Sequence, residues 1–417
     1  MSIKNSYSIF FEKISPYLIC SILPLLISGP FLPDLIVTII ALLFVINCFI
    51  NKNFSYFNNI YFKIFLLFYF ICVLSTILSD YPFHSYLSSF FYIRFAIFST
   101  AFYFILHKNT KIVNYLFYIL LATYLILVLD SFLQYLTGYN IIGIPKQDVR
   151  LSSFFGSELI IGSYLSRLAP LLIALYFINE SFNKKNVNIL FFWFLIFLSS
   201  IIVFLSGERA SFFFTILLFI YLLLMLQKNF IKICIFTILF ILSIILINKF
   251  DLSVKNRMFD QTKKQMGLNK ESEQVIPFSN EHLGHYLVAL DLFKKNPVFG
   301  VGPKNFRKCC FDNQIYSVKP YICTSHPHNT YIQLLAETGI IGFLIILSIF
   351  ISISYYSLKH LYFRVFKNLI IFKEYEVCLL ASFVITLWPV VPTGNFFNNF
   401  ISIIYFYPIA VFFWKKN

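Results

Sequence analysis

Long apolar stretches broken by short polar turns dominate the chain. Cutting at that punctuation gives segments near 16–31, 33–50, 60–79, 87–107, 112–137, 158–178, 187–205, 210–226, 229–247, 333–357, 375–392 and 397–414. At a rise of about 1.5 Å per residue, most of these span about 30 Å of hydrocarbon as helices. Pro30 and Pro33 separate the first two, which read as two helices, a short hairpin or one broken helix. The pattern predicts an all-α integral membrane protein of about twelve transmembrane helices, with a large, partly helical external loop between the ninth and the tenth. Residues 1–247 then hold nine helices and an external loop near 138–157, residues 248–330 form the large loop, and 331–417 hold the last three helices. Within the large loop, 281–297 carries apolar residues at 283, 287, 290 and 293, and Pro297 closes it. That spacing predicts an amphipathic helix suited to the membrane surface. No repeat at a period of 20 to 50 residues divides the chain.

Lysine and arginine in alternate short connections set the orientation. One side carries Lys4, Lys13, Lys52, Lys63, Lys108, Lys111, Lys184, Lys185, Lys228, Lys232, Lys359, Arg364, Lys367, Lys373, Lys415 and Lys416, and the opposite short connections carry almost only Arg209. Both termini are therefore expected in the cytoplasm, and the 138–157 and 248–330 loops outside. Lys4 and Lys13 precede a long apolar stretch with no small-residue cleavage site, so the first helix is expected to be retained.

Composition agrees with lipid as the main solvent, since hydrophobic residues make up 59% of the chain and charged residues only 12%. A net charge of +15 raises nucleic acid as a partner, but the basic residues are scattered through short loops rather than gathered into a stripe, which excludes it. Cys20, Cys48, Cys72, Cys234 and Cys378 fall inside apolar segments and read as small core residues.

Candidate chemistry comes from ionisable residues inside apolar segments, each costing about 2.5 kcal/mol or more at a membrane centre without a partner or a wet cavity. Arg94, Asp130, Arg167 and Glu337 all lie in the outer half of their segments. Pairing of Arg94 with Asp130 is one reading, and an outward-opening polar cavity accounts for all four. In LSGERASFF, Arg209 stands at headgroup depth, where its planar fork suits a lipid-anchored phosphate; pairing with Glu208 is the bland alternative. In HPHNTYIQLLAETGIIG (326–342), Asn329 or Thr330 is placed to cap the next helix, and His328 has the titration range to take a proton from an attacking hydroxyl.

Cys309, Cys310, Cys323, His326 and His328 also offer zinc ligands, but outside the cytoplasm a disulfide from Cys323 to Cys309 or Cys310 is the favoured expectation. No resident metal or cofactor is expected. NPVFGVGPKNFR (296–307) lacks the strand before it and the Lys-Ser/Thr after it that a nucleotide phosphate loop needs. It reads as a tight turn at Gly300 and Gly302, with Lys304 and Arg307 facing a phosphate or an acceptor.

SGERA at 206–210, FGVGPKNF at 299–306, HPHNTYIQLLAETGIIG at 326–342, RLSSFFGSELIIGSYLSRLAP at 150–170 and WPVVPTGNFFNN at 388–399 together resemble the O-antigen ligase and polymerase superfamily. The resemblance implies a metal-independent inverting glycosyltransferase. An acceptor hydroxyl attacks the anomeric carbon of a glycan carried on undecaprenyl diphosphate, and the lipid diphosphate leaves. Arg209 matches the family's diphosphate-holding arginine, with Arg94, Arg150 and Arg167 as further candidates. His328 matches the base or acceptor-orienting histidine, and Glu337 joins it as a catalytic candidate. Where members often carry an arginine in the loop helix, this chain has His282 and His285, which with Lys304, Arg307 and Asn329 are candidate acceptor or diphosphate contacts. Asp130, Gly300, Gly302, Cys309, Cys310 and Cys323 are expected to be structural. The implied partners are the lipid-linked glycan donor, lipid A core or a glycan acceptor, and membrane lipids. A ligase acting on lipid A core is favoured over a polymerase. A transporter or flippase of the same lipid-linked sugar is the rival from another class, disfavoured by the lack of internal repeats.

Overall fold

The computed structural model describes residues 3–182, 187–266, 268, 278–312 and 323–416. Among these, regular structure is helical, and the only β pairing is two isolated bridges in the 138–157 loop. Among the described residues eight helical stretches, Pro82–Lys108 counted as one, are long and apolar enough to cross a membrane. Ile189–Leu205, Arg209–Met225 and Asn399–Lys416 are shorter apolar helices, and Glu374–Thr386 has 13 residues. The segment expected at 333–357 runs on as Thr330–Lys367, and the one near 87–107 divides into Pro82–Phe90 and Ile93–Lys108. At the first pair, the prolines resolve as two helices, Ile3–Leu25 and Phe31–Asn51, joined through a single tight turn at Leu26–Ser28. Lys184 and Lys185 of the basic side lie outside the described residues, as do 269–277 and 313–322 of the large loop.

One apolar core runs through the helices from Phe11 to Trp414. Helix Ile161–Phe182 lies deepest, with Leu165, Leu168, Leu171, Leu172 and Leu175 all sealed from solvent, and it packs against Glu374–Thr386. By contrast, Phe230–Phe250 leaves Ile238, Ile241, Leu242, Ile245 and Leu246 outward, as a helix facing lipid does. One end of the bundle is tied by Lys108 to Glu12, Lys228 to Glu180 and Arg364 to the Leu226 carbonyl. The other end gathers the 138–157 loop and the large loop.

A second, smaller core forms within the large loop. Val288, Ala289 and Leu292 of helix Asn280–Lys295 pack with Val301, Phe306, Cys310, Cys323 and Ala336. The helix buries 285, 286, 288, 289 and 292 against protein, while Leu287 and Leu290, two of the four positions the spacing selected, are exposed. The helix carries apolar residues on two sides, one packed on protein and one turned outward. A disulfide joins Cys310 to Cys323, and Cys309 stays a thiol. Cys20, Cys48, Cys72 and Cys378 are buried thiols in the bundle.

The glycine turn docks on a break in helix Thr330–Lys367. Gly339 is left-handed at φ 66°, and a Cβ there would stand 2.2 Å from the Val298 carbonyl oxygen. Gly300, at φ 70°, approaches the Glu337 backbone as closely, so neither position accepts a side chain. The freed helix groups are then re-paired. Val301 N–H donates to the Ala336 carbonyl, Gly302 N–H to that of Glu337, and Ile340 N–H to that of Pro297.

Candidate active site

A cavity of about 850 Å³ opens at the loop-bearing end of the bundle. Arg167, Glu208, Lys304, Arg307, His326 and His328 line it, with His84 and Thr393. Thr393 is the hub that ties three segments together. Its N–H donates to the His328 carbonyl at 2.9 Å, its carbonyl accepts from His326 Nε2 at 3.2 Å, and its hydroxyl accepts from Arg167 Nη2 at 2.8 Å. The stretch WPVVPTGNFFNN therefore holds the histidine loop against the arginine of a deep helix.

His326 and His328 differ in what they have left to offer. Both ring nitrogens of His326 are engaged, Nδ1 with the Ser325 hydroxyl at 2.8 Å and Nε2 with the Thr393 carbonyl. The His328 ring lines the cavity and makes no hydrogen bond to a described residue. Its backbone is held at φ 58°, and Asn329 fixes the start of the next helix, accepting from Tyr331 and Ile332 N–H as the cap. The Asn329 amide also donates to the Pro389 carbonyl at 2.7 Å, so this side chain is spent on the fold rather than on a substrate.

Four imidazoles meet here. Ring centroids stand 4.1 Å apart for His326 and His328, 5.3 Å for His285 and His328, and 5.5 Å for His282 and His328. Burial, then the facing histidines, push His328 down to about 3, and burial takes His326 down to about 4 despite its bond to Thr393. His282 is also lowered by burial, with His285 and Arg209 adding to the effect. His326 and His328 are thus neutral near pH 7. Among the described residues no group of three His, Cys, Asp or Glu is arranged to hold a metal ion, and the disulfide removes Cys310 and Cys323 from the zinc set.

Arg150, Arg209 and Arg257 converge around Gly207. A Cβ on Gly207 would meet Arg257 Nε at 2.6 Å and Arg150 Cγ at 3.3 Å. Arg257 Nε donates to the Gly207 carbonyl, and Arg209 Nε and Nη2 donate to the Arg257 carbonyl at 3.1 and 2.9 Å. Gln261 and Gln265 accept from Arg209 as well. Arg257 sits in a π-helical turn, Asn256–Asp260, of the segment that crosses the start of helix Arg209–Met225. Among the described residues none of the three has a carboxylate at ion-pair distance. Arg257 carries no motif, and only the fold brings it here.

Glu208 does not pair with Arg209. Its carboxylate accepts from Gly162 N–H at 2.6 Å, Ser163 N–H at 3.0 Å and the Ser211 hydroxyl at 2.9 Å, stapling the start of helix Ile161–Phe182. Burial pushes it up to about 7 despite these donors and Arg150.

Other candidates lie apart from the cavity. Arg94 pairs with Asp34 at 2.8 Å and donates to Asn399, and it does not meet Asp130. Asp130 accepts from Ile141 N–H at 2.9 Å, from the Ser153 hydroxyl and from Asn140, pinning the 138–157 loop. Glu337 is fully buried, accepting from Phe306 N–H at 3.2 Å and Gln333 Nε2 at 2.8 Å. It supports the glycine turn from behind and does not line the cavity.

No curated protein matches the chain significantly. Residues 194–347, just over a third of the sequence, match the family model described as O-Antigen ligase. That segment holds Arg209, Arg257, the four histidines and the glycine turn. The chain is a multi-pass helical membrane protein whose 194–347 segment is similar to the O-antigen ligase family.

Proposed function

We propose that this protein is a metal-independent inverting glycosyltransferase. It moves a glycan from undecaprenyl diphosphate to an acceptor hydroxyl on the periplasmic face of the bacterial inner membrane, with both termini in the cytoplasm. The observation that carries this reading is the His328 ring, which faces a cavity and bonds to no described residue, in a histidine cluster close enough to the arginine group at Gly207 for Arg209 to bear on His282. Arg209, Arg150 and Arg257 hold the donor diphosphate, since guanidinium forks match phosphate oxygens and, among the described residues, no carboxylate stands at ion-pair distance from them.

The acceptor oxygen forms its bond to the anomeric carbon as the bond from that carbon to the diphosphate oxygen breaks. The hydroxyl proton passes to His328, and undecaprenyl diphosphate departs as the anion that the arginines stabilise. An imidazole held neutral before the donor arrives is in the form a base needs, and the negative diphosphate then raises its proton affinity. His282 and His285 stand beside this site where relatives carry an arginine. Glu337 is a positioning residue for the turn bearing Lys304 and Arg307.

Lipid A core is the favoured acceptor, which makes the protein an O-antigen ligase; a second lipid-linked repeat would make it a polymerase. Expression in a host lacking its own ligase decides between them. Ladders on lipid A core establish ligation, lengthening on the lipid carrier alone establishes polymerisation, and neither product favours transport of the lipid-linked sugar.

A further inference from the structure

We infer that the cavity around Arg167 is a second anion subsite, separate from the arginine group at Gly207, and that it takes a carboxylate or phosphate borne by the sugar. The inference rests on the proposed transferase reading. Arg167 is 3% exposed, and Nη1 is buried with no hydrogen-bond partner. Its other contacts are neutral: Nε donates to the Ser163 hydroxyl at 3.2 Å, Nη2 to that of Thr393 at 2.8 Å, and the guanidinium lies 4.6 Å from the centre of the Phe214 ring. Among the described residues no carboxylate is at ion-pair distance. A buried charge is normally paired, because the interior replaces little of the solvation that water gave it.

The rest of the cavity repeats this imbalance. Lys304 and Arg307 line it from the glycine turn, and neither is in an ion pair with a described residue. His84 adds an imidazole whose Nδ1 is bonded to Asn305 Oδ1 at 2.8 Å. Against them stand Glu158 and Glu208, and Glu208 is already committed to Gly162, Ser163 and Ser211. Arg150, Arg209 and Arg257 do not line this cavity, so a diphosphate held by them leaves it open. His328 lines the cavity as well, which places the anionic group on the same molecule as the reacting hydroxyl or anomeric carbon.

The test uses the full-length protein in lipid nanodiscs, titrated with glucuronate, with inorganic phosphate, with glucose as the neutral control, and with undecaprenyl diphosphate. Wild type and Arg209→Gln bind glucuronate or phosphate and show no comparable response to glucose. Arg167→Gln weakens that binding at least tenfold while keeping undecaprenyl diphosphate, and Arg167→Lys restores part of it. Unchanged glucuronate and phosphate binding in Arg167→Gln overturns the subsite. So does equal loss in Arg167→Gln and Arg209→Gln, which means one shared diphosphate site. If Arg167→Gln fails to fold, Lys304→Gln with Arg307→Gln is read the same way. Loss of undecaprenyl diphosphate binding in Arg209→Gln is scored separately, so the transferase reading stands or falls by itself.

Discussion

His326 and His328 are two residues apart and share a cavity, yet only one has a ring left for a substrate. The Ser325 hydroxyl and the Thr393 carbonyl hold both nitrogens of His326, whereas His328 is gripped through its backbone. His328→Ala is therefore expected to lower turnover by about a hundredfold or more while donor affinity holds. If donor affinity falls and turnover of bound donor is unchanged, the base role is wrong. A base works unprotonated, so activity falls as pH drops through its pKa. With His328 held near 3 in the free protein, kcat/KM should stay level from pH 8 down to about 5, and a limb near 6.5 would contradict the burial that sets this value. Arg209→Ala and Arg257→Gln should each weaken donor binding by about 10- to 150-fold, the worth of a charge-assisted hydrogen bond, measured against undecaprenyl diphosphate in nanodiscs. Arg209 and His328 are legible in the sequence because each lies in a motif. Nothing local distinguishes Arg257 from neighbouring loop cations, and its proximity to Gly207 spans 50 residues.

At the level of elements, the site depends on a broken helix receiving a turn. Gly339 interrupts helix Thr330–Lys367, and the turn at 297–302 takes up the backbone groups around the break, while Glu337 reaches Phe306 and Gln333 reaches Asn395 and Phe396. Gly339→Ala meets both a left-handed backbone and the Val298 carbonyl, so a loss of at least about 1–3 kcal/mol is expected, read as a lower unfolding temperature together with lost transfer. Normal stability with normal activity would show that the docking is dispensable. The glycines are legible as turn formers, but what they approach is not. The helix at 280–295 teaches the same lesson, since apolar residues on two sides of it leave the direction of the core to its neighbours.

Across the whole molecule, the bundle brings Arg167 and Arg209 to the candidate site, the 138–157 loop brings Arg150, and the large loop brings Arg257 and the four histidines. No divalent ion enters the proposed step, so chelator treatment is expected to leave transfer unchanged, and loss reversed by zinc would revive a role for the histidines as ligands. Hydrophobic patterning determined the membrane class and the rough position of each helix, because burying a backbone in lipid leaves few alternatives to helix over such lengths. Motif spacing pointed to the family whose model residues 194–347 match. Only the tertiary structure decided that Arg94 is consumed by Asp34, that Glu208 caps a helix, that Glu337 stands behind the turn, and that Arg167 is buried with Nη1 left without a hydrogen-bond partner. Patterning reports how each residue meets its solvent, which is a local property. Pairing among charges depends on which segments meet, and hydrogen bonds as far apart as Arg167 to Thr393 are closed only when the whole chain has packed.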